Sequence, residues 1–185
     1  MPRMRASEEL VDVIDDAGHT VGVVTRQEMR RRRLPHRSTA ILVFHPDGRL
    51  FIHLRTATKD LFPSHWDVAV GGVLAAGESY ADCARREVRE ELGVDANLEE
   101  LFPFRYEDDA TIVQARVFRL THAGPFELQA EEIVRGEFMP LDTVMERSRS
   151  ERFCPDGLAV LHEYLRRIDQ ASVGGLRPEG SPRRE

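Results

Sequence analysis

Apolar and polar positions alternate weakly over Leu10-Val11-Asp12-Val13-Ile14, and this period of two predicts a strand. Asp15-Asp16-Ala17-Gly18-His19 is a turn signal, and Thr20 to Thr25 reads as the returning strand. The chain therefore opens with a hairpin. A polar stretch from Arg26 to Arg33 predicts a short helix, which Pro35 ends. Ser38 to His45 is rich in β-branched and aromatic residues. Pro46-Asp47-Gly48 turns the chain into a second strand, Arg49 to Arg55. Thr56 to Ser64 reads as loop. Trp66 to Val70 is a short strand that stops at Gly71-Gly72, followed by a loop, Val73 to Glu78, and a helix from Ser79 to Leu92. Further strands are expected near Leu98 to Tyr106, Ile112 to Leu120 and Ile133 to Pro140. Leu141 to Arg147 reads as a short helix. Pro155 to Ile168 reads as a longer one, with Leu158, Leu161, Leu165 and Ile168 at helical spacing. From about Gln170 the chain holds Gly174, Gly175, Pro178, Gly180 and Pro182, and a disordered tail is expected. The class is α+β or an α/β sandwich. The expected organisation is an N-terminal arm over residues 1–34, one domain over 35–168 and a tail over 169–185.

Composition narrows the partners. Apolar residues make up 41% of the 185, enough for a core. The longest apolar run, Ala40 to Phe44, falls far short of the roughly twenty residues a membrane span needs, so no membrane partner is expected. Met1 to Glu9 lacks the apolar stretch of a secretory signal. Cys83 and Cys154 are too few and too far apart for a disulfide framework, and the cytoplasm is the expected compartment. Formal charge is 26 − 32 = −6, which argues against a nucleic-acid partner. Lys59 is the only lysine among the 26 basic residues. That bias fits a GC-rich coding sequence, or phosphate recognition by guanidinium forks. The run Arg30-Arg31-Arg32-Arg33 reads as a solvated helix end or as a patch for nucleic acid or an acidic partner. A homodimer is possible, dimers being common among oligomers, though nothing in the sequence marks an interface.

The chemistry concentrates between Gly72 and Val94. Ser79 is a good N-cap with Asp82 three residues on, and Gly93 can close the helix in the left-handed conformation. Glu87, Glu90 and Glu91 stand at i, i+3 and i+4, which sets three carboxylates on one stripe. Such carboxylates repel one another, and a hard divalent cation such as Mg²⁺ compensates them while also binding phosphates. The other reading is a solvated acidic face balanced by Arg85, Arg86 and Arg89. Arg86 could also pair with Glu78 and fix the loop against the helix.

The whole stretch resembles the Nudix box, G-x5-E-x7-R-E-U-x-E-E-x-G-U, with U a bulky aliphatic. Gly72, Glu78, Arg86-Glu87-Val88, Glu90-Glu91 and Gly93-Val94 match every specified position without a gap. The resemblance implies an α/β/α sandwich around a mixed sheet. It implies hydrolysis of a small-molecule diphosphate, nucleotide-like or otherwise, with Mg²⁺ or Mn²⁺. Glu87, Glu90 and Glu91 would hold metal together with a backbone carbonyl near Gly72, while Glu78 and Arg86 would hold the box in shape. Glu90 and Glu91 also count among the catalytic residues. A carboxylate beyond the box often serves as base or extra ligand, and here the candidate is Glu132, with Glu131 beside it.

Flanking runs, Leu34-Pro35-His36-Arg37, Arg55 to Lys59 and Phe62 to Asp67, look like the isopentenyl-diphosphate isomerase-like branch. They suggest a substrate running past His36, Arg55 and Lys59. Isomerase activity itself is not expected. The run aligned with the isomerase cysteine is Gly71-Gly72-Val73-Leu74, and the later acid pair falls on Thr111-Ile112-Val113. Protonating an alkene needs a placed strong acid and a matched base. Cys83 reads as packing. A prenyl-diphosphate isomerase and a non-catalytic nucleotide-binding module are the alternatives.

Overall fold

The computed structural model describes residues 6–174. Strands β1 (Leu10–Ile14) and β2 (Thr20–Thr25) form an antiparallel hairpin, and α1 (Arg26–Arg31) follows. A second sheet is built from β3 (His36–Phe44), β4 (Leu50–Arg55), β5 (Trp66–Asp67), β6 (Glu99–Glu107), β7 (Ile112–Thr121) and β8 (Ile133–Met139). Its order is β5-β4-β3-β7-β6, with β8 on β4. β3 and β7 run parallel from His36↔Val113 to Phe44↔Thr121, and the other pairs are antiparallel, so the sheet is mixed. Helix α2 (Tyr80–Leu92) covers one face. α3 (Leu141–Arg147) and α4 (Pro155–Gly174) cover the other. This is the α/β/α sandwich with an N-terminal hairpin.

The two cores follow from strand alternation. Ile41 and Val43 point to α2, joining Ala84, Val88 and Leu92, while Leu42 and Phe44 point to α3 and α4, joining Val144, Leu161 and Tyr164. β3 is buried on both faces, which is why it reads as an unbroken apolar run. Full burial of a side chain such as Leu42 is worth about 2 kcal/mol.

Most boundaries fall within two residues of the sequence reading, and two differ by more. β5 ends at Asp67 rather than at Val70. Asp67 Oδ1 takes the Val68 and Ala69 N–H groups at 2.8 and 3.3 Å, which turns the chain off β4. Val70 and Val73 then bridge to Ile41 and Ser38 of β3 instead. Helix α4 continues through Gly174, past the expected start of the tail. The remainder of the expected tail, 175–185, lies outside the described residues.

The hairpin packs against the box loop. Val11, Met29 and Val73 form a small core of their own. Asp12 Oδ2 accepts from Gly77 N–H at 3.1 Å and meets Arg37 Nη1 at 3.2 Å, and Ala76 N–H donates to Leu10 O at 2.8 Å. The arm therefore braces the loop that precedes the carboxylate helix.

Candidate active site

Helix α2 forms where its caps dictate. Ser79 Oγ accepts the Asp82 N–H at 3.1 Å, and Gly93 closes the helix at φ +67°. One of its stripes carries Glu87 and Glu91, which are 8% and 5% exposed, while Glu90 lies at the surface.

Arg86 ties this helix to the loop before it. Its Nε and Nη2 donate to the two oxygens of Glu78 at 2.9 Å each, a bidentate pair. Nη1 donates to Glu87 Oε1 at 2.7 Å and reaches Glu90 Oε2 at 3.5 Å. Glu78 in turn accepts the Ala75 N–H at 2.9 Å. Burial pushes the Glu78 carboxyl up, but Arg86 and that N–H more than offset it, and it stays below its ordinary value. The opposite holds on the stripe. Burial raises Glu87 despite Arg86, and burial together with the charge of Glu87 raises Glu91 well above the usual carboxylate range.

Gly72 lies directly over Glu87. A Cβ on Gly72 would come 2.3 Å from Glu87 Oε1, so only glycine lets the backbone approach this closely. The Gly72 carbonyl accepts the Thr39 N–H at 2.9 Å and, more weakly, the Cys83 S–H at 3.7 Å. Glu132, just before β8, is ion-paired to Lys59. Thr56 fastens the two loops, its N–H donating to Glu132 O at 3.1 Å and its Oγ1 to Glu131 O at 2.9 Å.

Glu87, Glu90, Glu91, Glu131 and Glu132 thus line one cleft with Gly72, and the fold joins carboxylates far apart in the chain. Among the described residues, no three acidic, His or Cys side chains already stand as a ready metal cage. Arg86 draws Glu87 and Glu90, and Lys59 draws Glu132. An incoming cation must displace those partners. The donor set still fits Mg²⁺, being all oxygen, crowded and negative.

A second cavity opens beside the cleft, and the two share Arg26, Lys59, Gly71 and Gly72. His36, Arg55 and Lys59 all line this chamber, so the fold brings the three together. His36 is buried, with Nδ1 2.9 Å from Leu34 O. Burial and the charge of Arg30 lower it to about 4, so the ring is neutral near pH 7. Arg55 meets Asp67 Oδ2 at 3.4 Å and donates to Leu61 O at 3.0 Å.

Sequence reasoning missed Arg26, Arg30 and Asp156, which also line the chamber. Arg26 and Arg30 lie four apart on α1 and share a face, a spacing visible in the sequence. Nothing in the sequence indicated where that face would dock. The four-arginine run is divided by the fold. Arg30 turns inward to Asp60 and Thr111 at 3.2 and 3.3 Å, Arg31 and Arg32 turn outward to Glu28, and Arg33 binds Asp108 O.

The NUDIX domain model matches residues 34–156, most of the chain. The chain belongs to the Nudix family. It is 39% identical over 164 residues to the uncharacterised Nudix hydrolase PA4841 of Pseudomonas aeruginosa, covering 88% of this chain and 97% of that protein. It is 33% identical over 166 residues to the uncharacterised Nudix hydrolase YfcD of Escherichia coli K12, covering 89% and 91%. Among solved structures it resembles DR0079 of Deinococcus radiodurans, with a TM-score of 0.72 and 27% identity over 86% of this chain and 98% of that one. As a Nudix hydrolase it acts on phosphoric anhydride bonds, and Gly72, Arg86, Glu87, Glu90 and Glu91 of the box motif line the carboxylate cleft. No helix among the described residues is long and apolar enough to cross a membrane.

Proposed function

We propose that this Nudix hydrolase cleaves the diphosphate of a nucleotide-like substrate by water attack at phosphorus, with Mg²⁺ or Mn²⁺ as cofactor. One observation carries the reading. Two buried carboxylates, Glu87 and Glu91, share a cleft with Glu90 and Glu132, and that cleft joins a cation-lined chamber. Burying like charges is costly unless something cationic repays it.

Glu87, Glu90, Glu91 and the Gly72 carbonyl, once the weak Cys83 S–H donor gives way, would hold the metal. When bound, it neutralises the diphosphate and makes water a better nucleophile. Glu78 and Arg86 keep the loop seated on α2. Lys59 and Arg26, at the junction of the two cavities, receive the phosphate oxygens, and Arg55 and His36 line the path of the rest of the substrate. Water adds to one phosphorus, the bridging P–O bond breaks, and a carboxylate takes the water's proton. Glu132 is the candidate for that step once Lys59 turns to the substrate, with Glu131 beside it. The chain resembles the isomerase-like branch in its flanking runs, yet Cys83 is fully buried and Thr111 to Val113 carry no acid. The hydrolytic reading therefore stands ahead of isomerisation. The dispersal of Arg30 to Arg33 supports a small-molecule partner over nucleic acid.

The test is Glu91→Gln assayed with Mg²⁺ against a panel of diphosphates for release of phosphate or monophosphate. A loss of at least about 100-fold in kcat is expected. Undiminished turnover would remove the metal-site assignment.

A further inference from the structure

We propose that Gln129 is a positioning residue, orienting the attacking water for Glu132. The inference rests on the hydrolytic reading of the carboxylate cleft and assigns a side chain there that this reading leaves unused.

The C-terminus of α2 puts Gln129 in place. The last carbonyls of a helix have no partner within it. Here the Glu127 N–H donates to Leu92 O at 2.9 Å, and the Gln129 N–H donates to Glu91 O at 3.1 Å. The segment before β8 is thereby fastened to the end of the carboxylate helix. The Gln129 carbonyl then accepts the Glu132 and Ile133 N–H groups at 3.0 and 2.8 Å, which closes a tight turn. Both backbone groups of Gln129 are engaged, one with Glu91 and the other with Glu132. Its half-buried side chain borders the cleft together with those two glutamates. Gln129 lines the cleft but not the chamber, so it faces the reacting end of a substrate rather than its organic head.

Its chemistry differs from that of its neighbours. Glycines apart, it is the one uncharged residue among the described residues that border the cleft. Its side-chain amide makes no hydrogen bond to another described residue. The carboxylates of Glu91, Glu131 and Glu132, when ionised, only accept hydrogen bonds, and each can also take a proton. A water held among several such groups has no preferred direction for its two O–H bonds. An amide oxygen accepts a hydrogen bond but is far too weak a base to keep the proton near neutral pH. With Gln129 Oε1 accepting one O–H, the other O–H is left to Glu132 and a lone pair to the phosphorus. As the new P–O bond forms, the proton passes to Glu132 and the bridging P–O electron pair leaves with the departing group. Orientation of this kind acts on the chemical step rather than on binding, and a misplacement of about 1 Å costs about 100-fold in rate.

The experiment uses the full chain with Mg²⁺ and ADP, CDP, UDP-glucose and geranyl diphosphate, and follows whichever of the four the wild type cleaves fastest. Gln129→Met keeps the length of the side chain and removes its hydrogen bonding. Its kcat should fall at least about tenfold, while KM and the Mg²⁺ needed for half-maximal rate stay within about twofold. The pH–rate profile should keep its shape at a lower plateau, because an amide does not titrate, whereas loss of a base would remove a limb. The backbone bonds of the turn survive the substitution, so the melting point should hold. If a melting curve shows that methionine folds poorly, Gln129→Ala gives the same readout. A kcat within about twofold of the wild type, a loss carried by KM or by the Mg²⁺ requirement, or a pH profile that loses a limb overturns the assignment and leaves the hydrolase reading intact. A wild type that cleaves none of the four counts against both.

Discussion

Glu91→Gln also tests the electrostatics of the carboxylate stripe apart from turnover. Glu91 is 5% exposed, and burial plus the charge of Glu87 raise its carboxyl well above the ordinary range. An acid whose folded value exceeds its unfolded one binds more protons in the native state within that window. Its contribution to stability is therefore lost as pH rises through the window, and at neutral pH its burial is a net cost in the metal-free protein. A buried, uncompensated carboxylate costs several kcal/mol; Glu87 and Glu132 add to that cost, and Lys59 and Arg55 offset part of it. Glutamine keeps the shape and removes the charge. In a chain of this size each kcal/mol relieved raises the melting point by about 2–4 °C, so the variant should melt at least about 2 °C higher in EDTA at neutral pH. Added Mg²⁺ should reverse the order. A ligand at a hundred times its Kd adds about 2.7 kcal/mol to the wild type, and the variant should gain little of it. Paired thermal melts with EDTA and with Mg²⁺ give both numbers. A variant that melts at or below the wild type in EDTA would refute the claim that the charge is buried at a cost. Equal gains from Mg²⁺ would refute the claim that Glu91 helps to bind it.

Gly72→Ala places a Cβ 2.3 Å from Glu87 Oε1 and 2.6 Å from Cδ, against a side-chain end rather than backbone. The fold should survive with a loss below about 2 kcal/mol, while the carboxylate is pushed aside and the Mg²⁺ needed for half-maximal rate rises about 10-fold or more; an unaltered Mg²⁺ titration would contradict this. His36 falls from 6.5 to about 4 on folding, so its contribution is fully present above pH 6.5 and is lost as pH falls towards 4, worth on the order of 3 kcal/mol. Urea unfolding of the wild type and of His36→Gln at neutral pH and near pH 4.5 checks it. The variant should lose less stability on acidification, and parallel losses would argue against a buried neutral ring.

Much of the molecule was legible because local chemistry and fold agree. The hairpin, the β3 and β4 strands and the capped helix α2 all follow from alternation, turn residues and caps that the tertiary structure leaves unopposed. The box was legible for a further reason. Its glycine, arginine and glutamates serve contacts that stay within the motif itself, as the Arg86–Glu78 pair and the Gly72–Glu87 contact show. Where the reading fell short, the element's own pattern did not set its end. β5 stops early because the Asp67 side chain captures two N–H groups and β3 then offers new bridges. α4 runs past Ile168 although Gly174 and Gly175 read as a breaker.

The amino-acid sequence by itself determined the class of fold, the Nudix box and the carboxylate stripe, because periodicity and short spacings act along one element. Only the tertiary structure decided which charges are buried and what they face. Glu87 and Glu91 became a strained pair when the sheet closed over α2. Arg26 and Arg30 became cavity residues when the N-terminal arm docked, while Arg31 and Arg32 stayed in solvent. Asp156 met Asp67 because Gly157 let α4 settle on it. Such pairings join residues far apart in the chain. Their energies depend on burial and distance, which no spacing in the sequence encodes.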